Sequence, residues 1–300
     1  MFKDLIKDLV KIKYNFEIGK KTWFGTGGRS FLFLKINTLK SLVAFLKITP
    51  KKIPILIIGG GSNIIVRDGG FKGIIIRLGT EFKKISIDKK KSLLEIGSAS
   101  KDSEISSFCL KKEIGGFEFL KGIPGTLGGN IKMNAGCYGG LISDSLVSCT
   151  VLKRNGRLKT LKKSQIKFEY RKTSIHEDEI VVSAKFKINF QKRSVIATKL
   201  KKISDVRSKT QPISSRTGGS TFANPANSSA WKLIDGISYR GKKLGGASVS
   251  AKHSNFLINE NFATSLDLEL LGEEIREKVW KKFKIKLDWE LKRVGKFNKI

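Results

Sequence analysis

The spacing of apolar positions changes along the chain, and each change predicts an element. From Thr38 to Lys47 they fall at Leu39, Leu42, Val43 and Leu46, the spacing of a helix with one buried face, and Thr38 stands where it can cap the first turn. Pro54–Ile58, Ile64–Arg67 and Ile74–Leu78 are short β-branched runs separated by glycines, the pattern of buried strands. A second series begins with a strand at Ser92–Gly97 and an amphipathic helix at Lys101–Lys112. It continues with a hairpin, Leu146–Lys153 and Arg157–Leu161, turning at Asn155-Gly156, and a long strand at Ile180–Ile188. A third series holds a helix at Ser194–Lys209, stopped ahead of Pro212, a short helix at Ser229–Asp235, and a helix at Leu266–Phe283 with Leu271, Ile275, Val279 and Phe283 one turn apart. Mixed helices and strands with no internal repeat predict an α+β protein in three parts, 1–79, 80–192 and 193–300.

Composition narrows the class. The chain has 300 residues, 40% of them hydrophobic, enough to bury a core. No apolar run approaches the roughly 18 residues that span a bilayer, so no membrane insertion is expected. Met1–Val10 mixes Lys and Asp into its apolar residues, unlike a secretory leader, which predicts a cytoplasmic protein. Three cysteines (Cys109, Cys137, Cys149) and two histidines (His176, His253) are too few and scattered for a disulfide framework or a zinc site. The net charge of +33 first suggests nucleic acid or an anionic surface. The lysines, however, recur as pairs and triplets through nearly every element, with no aromatic-bearing basic strand for stacking bases, so a dedicated nucleic-acid module is not expected.

Two glycine-rich segments carry the candidate chemistry. Gly59, Gly60 and Gly61, followed by Ser62 and Asn63, sit between two predicted strands, where backbone N–H groups and two side-chain donors can enclose an anionic oxygen. A tight turn would also use one or two of these glycines. The segment is not a dinucleotide fingerprint, because Ile64 stands where the last glycine would be and a strand follows, so a Rossmann sheet is not expected. The second segment, Gly122-Ile123-Pro124-Gly125-Thr126-Leu127-Gly128-Gly129-Asn130, continues into Asn134-Ala135-Gly136 and is denser in glycine than regular elements need. It suits a large flat or pyrophosphate-bearing ligand lying on main chain, oriented by Thr126, Asn130 and Asn134.

With these loops in view, the chain resembles the bacterial UDP-N-acetylenolpyruvoylglucosamine reductases from about Asn15 to Gly295. The resemblance rests on Trp23–Gly28, Gly59–Asn63, Gly122–Asn130 with Asn134–Gly136, Tyr170-Arg171, Gly218–Pro225, Gly245–Ala247, His253–Phe256 and Trp289-Glu290, in that order. It implies a two-subdomain FAD-binding fold of the vanillyl-alcohol-oxidase type followed by an α+β substrate-binding domain. It also implies non-covalent FAD, NADPH as co-substrate, and UDP-N-acetylglucosamine enolpyruvate as the small-molecule substrate, reduced for peptidoglycan synthesis; a monomer is expected.

By the same resemblance a hydride passes from the flavin N5 to the enolpyruvyl methylene carbon, and a proton reaches the neighbouring carbon. Ser220 matches the family's proton-donating serine, Arg171 the arginine that holds the developing enolate, and Glu290 the glutamate that assists it. Read without the family, Arg171 is one more surface cation, Ser220 a turn cap and Glu290 a charged strand residue. Gly59–Asn63, Gly122–Thr126, Gly128–Asn130 and Asn134–Gly136 match the cofactor loops, and Tyr170, Arg171, Lys209 and Asn224 the substrate contacts. Two positions depart: Ala223 stands where many relatives have lysine, and Ala251 where many have glutamate. The short connection from Arg171 to Ser220 resembles the subclass without an inserted tyrosine loop.

Overall fold

The computed structural model describes residues 10–298, so Met1–Leu9, on which the reading of an absent secretory leader rests, lies outside the described residues. The chain forms two compact units. One holds the described residues up to Lys13 with Phe33–Gly60 and Ile74–Val206; the other holds Tyr14–Leu32, Gly61–Gly73 and the described residues from Arg207 onward.

The first unit is built on a five-stranded antiparallel sheet in the order Leu158–Lys162, Leu146–Leu152, Ile180–Lys187, Leu93–Gly97, Ile85–Asp88. The predicted hairpin closes as expected, with Leu152 opposite Leu158 and Gly156 at φ 79°, a left-handed value that costs a glycine nothing. Leu94, Ile96, Ile105, Val151 and Phe186 form the centre of the core, and Phe117 meets Phe186 edge-on at 5.5 Å between ring centroids. Helix Asp102–Lys111 buries Ile105 and Cys109 against it. Helix Leu39–Ile48 starts where Thr38 Oγ1 accepts from the Ser41 N–H at 3.2 Å. Its buried face is Leu42, Phe45 and Leu46; Leu39 and Val43 are half-buried. Strand Ile55–Ile57 pairs in parallel with Ile74–Ile76.

The second unit packs a core of Phe24, Ile65, Phe222, Ile234, Leu271, Ile275 and Leu287 between helices Ala230–Gly236 and Ser265–Phe283 and a three-stranded antiparallel sheet, Lys243–Leu244, Ala247–Val249 and Leu257–Asn259. The long helix begins with reciprocal caps: Thr264 Oγ1 accepts from Asp267 N at 3.0 Å and Asp267 Oδ2 accepts from Thr264 N at 2.9 Å. One turn in, Glu269 is only 4% exposed and takes both Nε and Nη2 of Arg67 at 2.9 Å, plus Arg293 Nη1 at 3.3 Å. Glu273 accepts from Arg293 at 3.0 Å, from the Trp289 indole N–H at 2.8 Å, and from Arg276. These pairs tie the helix to strands Ile64–Val66 and Lys292–Val294, which run parallel to each other.

Among the described residues no helix is long and apolar enough to cross a membrane and no group of three His, Cys, Asp or Glu gathers to hold a metal. Burial pushes the Cys109 thiol up to about 12 and the Cys149 thiol up to about 11, so neither is a thiolate at neutral pH.

Replacing Glu269 with Ala leaves two guanidinium groups facing a buried gap. A loss of roughly 3 kcal/mol in urea-denaturation stability is expected; a loss under about 1 kcal/mol contradicts a structural role for the network.

Candidate active site

In the first unit the two glycine segments meet. A Cβ on Gly59 would sit 2.3 Å from Thr126 Oγ1, so only glycine lets the loops touch there, and the Thr126 side chain makes no capping hydrogen bond. Residues 98–102 run alongside 125–130 and are bonded to them: Gly128 N to Ser98 O at 2.8 Å, Leu127 N to Ser100 O at 3.1 Å, Asp102 N to Gly125 O at 3.3 Å. Asn130 Nδ2 donates to Asp102 Oδ1 at 2.6 Å. Asn134, held at φ 41°, donates from Nδ2 to Glu169 O at 3.0 Å, and Thr173 Oγ1 donates to Lys132 O at 3.2 Å. These two bonds fasten the hairpin Phe168–Glu169/Lys172–Thr173 to the second loop, and Tyr170 and Arg171 are its turn. Arg171 adopts φ 57°, strained for a side-chain-bearing residue, and its guanidinium lies 4.8 Å over the Tyr170 ring.

FAD offers a pyrophosphate, which only accepts hydrogen bonds, and a flat ring. Among the described residues the Ser98 and Ser100 hydroxyls are buried without partners, and a Cβ on Gly129 would meet nothing within 4 Å; Asn134 Oδ1, also unpartnered, only accepts and suits an N–H or O–H of the ligand, not its pyrophosphate. Hydroxyl donors, loop amides and an open glycine face fit such a group.

The loop Gly59–Asn63 then carries the chain into the second unit. Trp23 N donates to Gly61 O at 2.9 Å, Asn63 Nδ2 to Glu290 O at 3.3 Å, and Lys292 N to Asn63 O at 3.2 Å. Gly219, at φ 83°, turns the chain into Ser220; a Cβ there would lie 4.0 Å from Ser62 O. Ser220 is bridged to Phe256 and Phe222 to Trp289. Between them Thr221 O accepts from Glu290 N at 2.9 Å and from Leu291 N at 3.4 Å, while Thr221 N donates to Asn255 O at 2.8 Å. Asn63, Glu290 and Thr221 are thus joined by hydrogen bonds, with Ser220 next in the chain to Thr221.

The remaining sequence candidates are placed less directly. Asn224 Oδ1 accepts from Ala230 N at 3.0 Å, so the residue caps helix Ala230–Gly236. Lys209 is exposed on the last turn of helix Arg193–Thr210 and shares no hydrogen bond with the Ser220 cluster among the described residues. Ala223 N donates to Asp288 O at 2.9 Å, and Ala251 O accepts from Arg240 at 2.8 Å. Both departing positions work through main chain.

Residues 32–162 match the model of the FAD binding domain, and residues 211–294 that of the UDP-N-acetylenolpyruvoylglucosamine reductase C-terminal domain. The reductase of Rickettsia massiliae is 43% identical over 295 residues, covering 97% of this chain and 99% of its own; that of Rickettsia prowazekii is 43% identical over 294 residues, covering 98% of each. The crystal structure of the Thermus caldophilus UDP-N-acetylenolpyruvylglucosamine reductase superposes with a TM-score of 0.82 at 25% identity, over 95% of this chain and 99% of that one. Fold and loops together define a flavin-dependent oxidoreductase of α+β architecture that uses FAD. Within that class, the chain belongs to the UDP-N-acetylenolpyruvoylglucosamine reductase family.

Two residues have roles that the sequence does not show. Asn255 lies within His253–Phe256, yet nothing in that segment tells what its side chain does. Asp102 reads as an ordinary acid in a helix's first turn, but it is 1% exposed and its Oδ2 has no partner. Burial pushes its carboxyl from the ordinary 3.8 up to about 8, against the opposing Asn130 hydrogen bond. Folded Asp102 is therefore neutral at pH 7 while the unfolded residue is ionised. Its contribution to stability is fully present below pH 3.8 and is lost as pH rises toward about 8. Asp102→Asn removes that loss, so the stability gap between variant and parent is expected to widen by roughly 1 kcal/mol per pH unit between about pH 4 and pH 8. A pH-independent gap in urea titrations contradicts a neutral buried acid.

Proposed function

We propose that this protein reduces UDP-N-acetylglucosamine enolpyruvate to UDP-N-acetylmuramate in peptidoglycan synthesis, with NADPH as co-substrate, and that Ser220, Arg171 and Glu290 carry the chemistry. The observation that carries this reading is the Thr221 carbonyl, which fixes Glu290 beside the Ser220 segment at 2.9 Å within the part of the chain matched by the reductase C-terminal model. When bound, FAD supplies the hydride, taken from NADPH, that adds to the methylene carbon of the enolpyruvyl ether.

The chain's own residues handle the charge and the proton. Hydride addition at the methylene carbon moves an electron pair onto the neighbouring carbon and its carboxylate. Arg171 holds that carboxylate as it gains charge, since a guanidinium stays protonated and binds two oxygens at once. The turn that presents it is strained at φ 57° and buttressed by Asn134, which favours one fixed arginine position over many. Ser220 gives its hydroxyl proton to the neighbouring carbon, completing the reduction, and Glu290 stabilises the intermediate or restores the serine's proton. Tyr170, Asn224 and Lys209 contact the substrate, Asn224 from a position fixed by its cap on Ala230.

The cofactor contacts come from Gly59–Asn63, Gly122–Thr126, Gly128–Asn130 and Asn134–Gly136. The functional division is two FAD-binding parts, 1–79 and 80–192, and a substrate part, 193–300. The protein acts as a cytoplasmic monomer, and its +33 charge draws in anionic sugar nucleotide and NADPH without a nucleic-acid partner.

Rapid mixing separates the two half-reactions. Ser220→Ala is expected to be reduced by NADPH within about twofold of the parent rate, while reoxidation by the enolpyruvyl substrate falls roughly a hundredfold or more. Parent-like reoxidation rules Ser220 out as the donor. Arg171→Lys keeps the charge and loses the fork, so turnover is expected to fall more than about tenfold with the melting temperature unchanged; a smaller loss makes Arg171 peripheral.

A further inference from the structure

We propose that Asn255 is the positioning residue for Ser220, setting the serine for proton transfer by holding the main chain of Thr221 and Phe222. The inference deepens the reading of Ser220 as proton donor and rests on it.

Asn255 is 4% exposed, and both polar atoms of its side chain go to one peptide neighbour: its Oδ1 accepts from Phe222 N at 3.0 Å and its Nδ2 donates to Phe222 O at 2.8 Å. Its own carbonyl accepts from Thr221 N at 2.8 Å, and the next residue, Phe256, is bridged to Ser220. Three consecutive residues at the serine are thus held by two consecutive residues of another loop.

A continuing strand would ordinarily supply the partner for Phe222. Here the chain turns away instead, closed by Phe256 N donating to His253 O at 3.0 Å, and the Asn255 side chain takes the place of the missing strand residue. Only asparagine presents a donor and an acceptor at that reach. Aspartate lacks the donor, glutamine adds a methylene, and alanine leaves the N–H and C=O of Phe222, itself 1% exposed, without these partners.

The turn that presents Asn255 is fixed in its own right. Ser250 Oγ accepts from Lys252 N at 3.1 Å and His253 N at 3.2 Å, His253 Nδ1 accepts from Asn255 N at 3.3 Å, and Ser254 Oγ donates to Trp231 O at 2.9 Å. The clamp therefore transmits a fixed reference to the serine.

A residue that works only through Ser220 has a kinetic signature that a general stabiliser lacks. The test is a double-mutant cycle on flavin reoxidation by the enolpyruvyl substrate, with reduction by NADPH and substrate binding, read from the perturbed flavin spectrum, as controls. Asn255→Ala is expected to slow reoxidation roughly a hundredfold, since misplacement of a reacting group by about an ångström has that effect, while both controls stay within about threefold. Adding Asn255→Ala to Ser220→Ala is expected to change reoxidation less than about threefold. A full second loss in the serine-less background, or near-parent reoxidation in Asn255→Ala, overturns the proposal while leaving Ser220 as donor. Near-parent reoxidation in Ser220→Ala overturns the donor reading itself and the proposal with it. Should Asn255→Ala fail to fold, Asn255→Asp, which keeps the acceptor for Phe222 N–H and loses the donor, enters the same cycle with an intermediate loss expected and the same criteria.

Discussion

A buried peptide must find its partners inside the protein, and Thr221 and Phe222, the buried residues that follow Ser220, take partners from two other stretches of chain. Thr221 O takes the amides of Glu290 and Leu291, Thr221 N gives to Asn255 O, and the Asn255 side chain closes on both polar groups of Phe222. Because unmade hydrogen bonds in such a place are costly, these bonds decide where Ser220 and Glu290 stand relative to each other. The surrounding packing serves this arrangement. The Trp289 ring packs tilted against Phe222 at 5.0 Å between centroids, and its indole N–H donates to Glu273, whose carboxylate stays below its ordinary range because the Trp289, Arg276 and Arg293 contacts outweigh its burial. The ion-pair network on the long helix thus reaches the residue immediately before Glu290.

The other half of the chemistry is built differently. Around the two glycine loops main chain approaches main chain closely, and the side chains are small or uncommitted. Gly59 against Thr126 leaves no room for a Cβ, and among the described residues the Ser98 and Ser100 hydroxyls are buried and unspent. A polar lining without internal partners is unfavourable for the protein alone and favourable for one that holds a pyrophosphate-bearing cofactor. Asp102 is consistent with this setting, since a neutral carboxyl adds no negative charge beside Asn130, in the loop proposed to bind the cofactor.

Much of this was legible in the sequence, and the limits have physical causes. The helices at Leu39–Ile48, Asp102–Lys111, Arg193–Thr210, Ala230–Gly236 and Ser265–Phe283 declared themselves by period and caps, each within two residues of the expected ends. The glycine segments were legible because only special backbone geometry uses so many glycines. Strand Ser30–Ile36 was missed because most of its positions are buried, which erases the alternation that marks a strand. Strand Lys292–Val294 was missed because three residues, two of them basic, look like a charged tail until a parallel partner is known. Ser220, Arg171 and Glu290 were found by resemblance alone; as residue types, a serine after glycine, one arginine among 59 basic residues and a late glutamate carry no signal. Asn255 and Asp102 act through burial and hydrogen bonding, which appear only once the chain is folded.

The account stands most directly on a flavin that shuttles between the two co-substrates. An absorbance spectrum of the purified protein from about 300 to 550 nm, repeated anaerobically after NADPH and again after UDP-N-acetylglucosamine enolpyruvate, reads that cycle in one cuvette. The expected result is an oxidised flavin spectrum that bleaches with NADPH and returns with the enolpyruvyl substrate. A protein that neither carries nor takes up FAD, or a reduced flavin that the substrate leaves bleached, would contradict it.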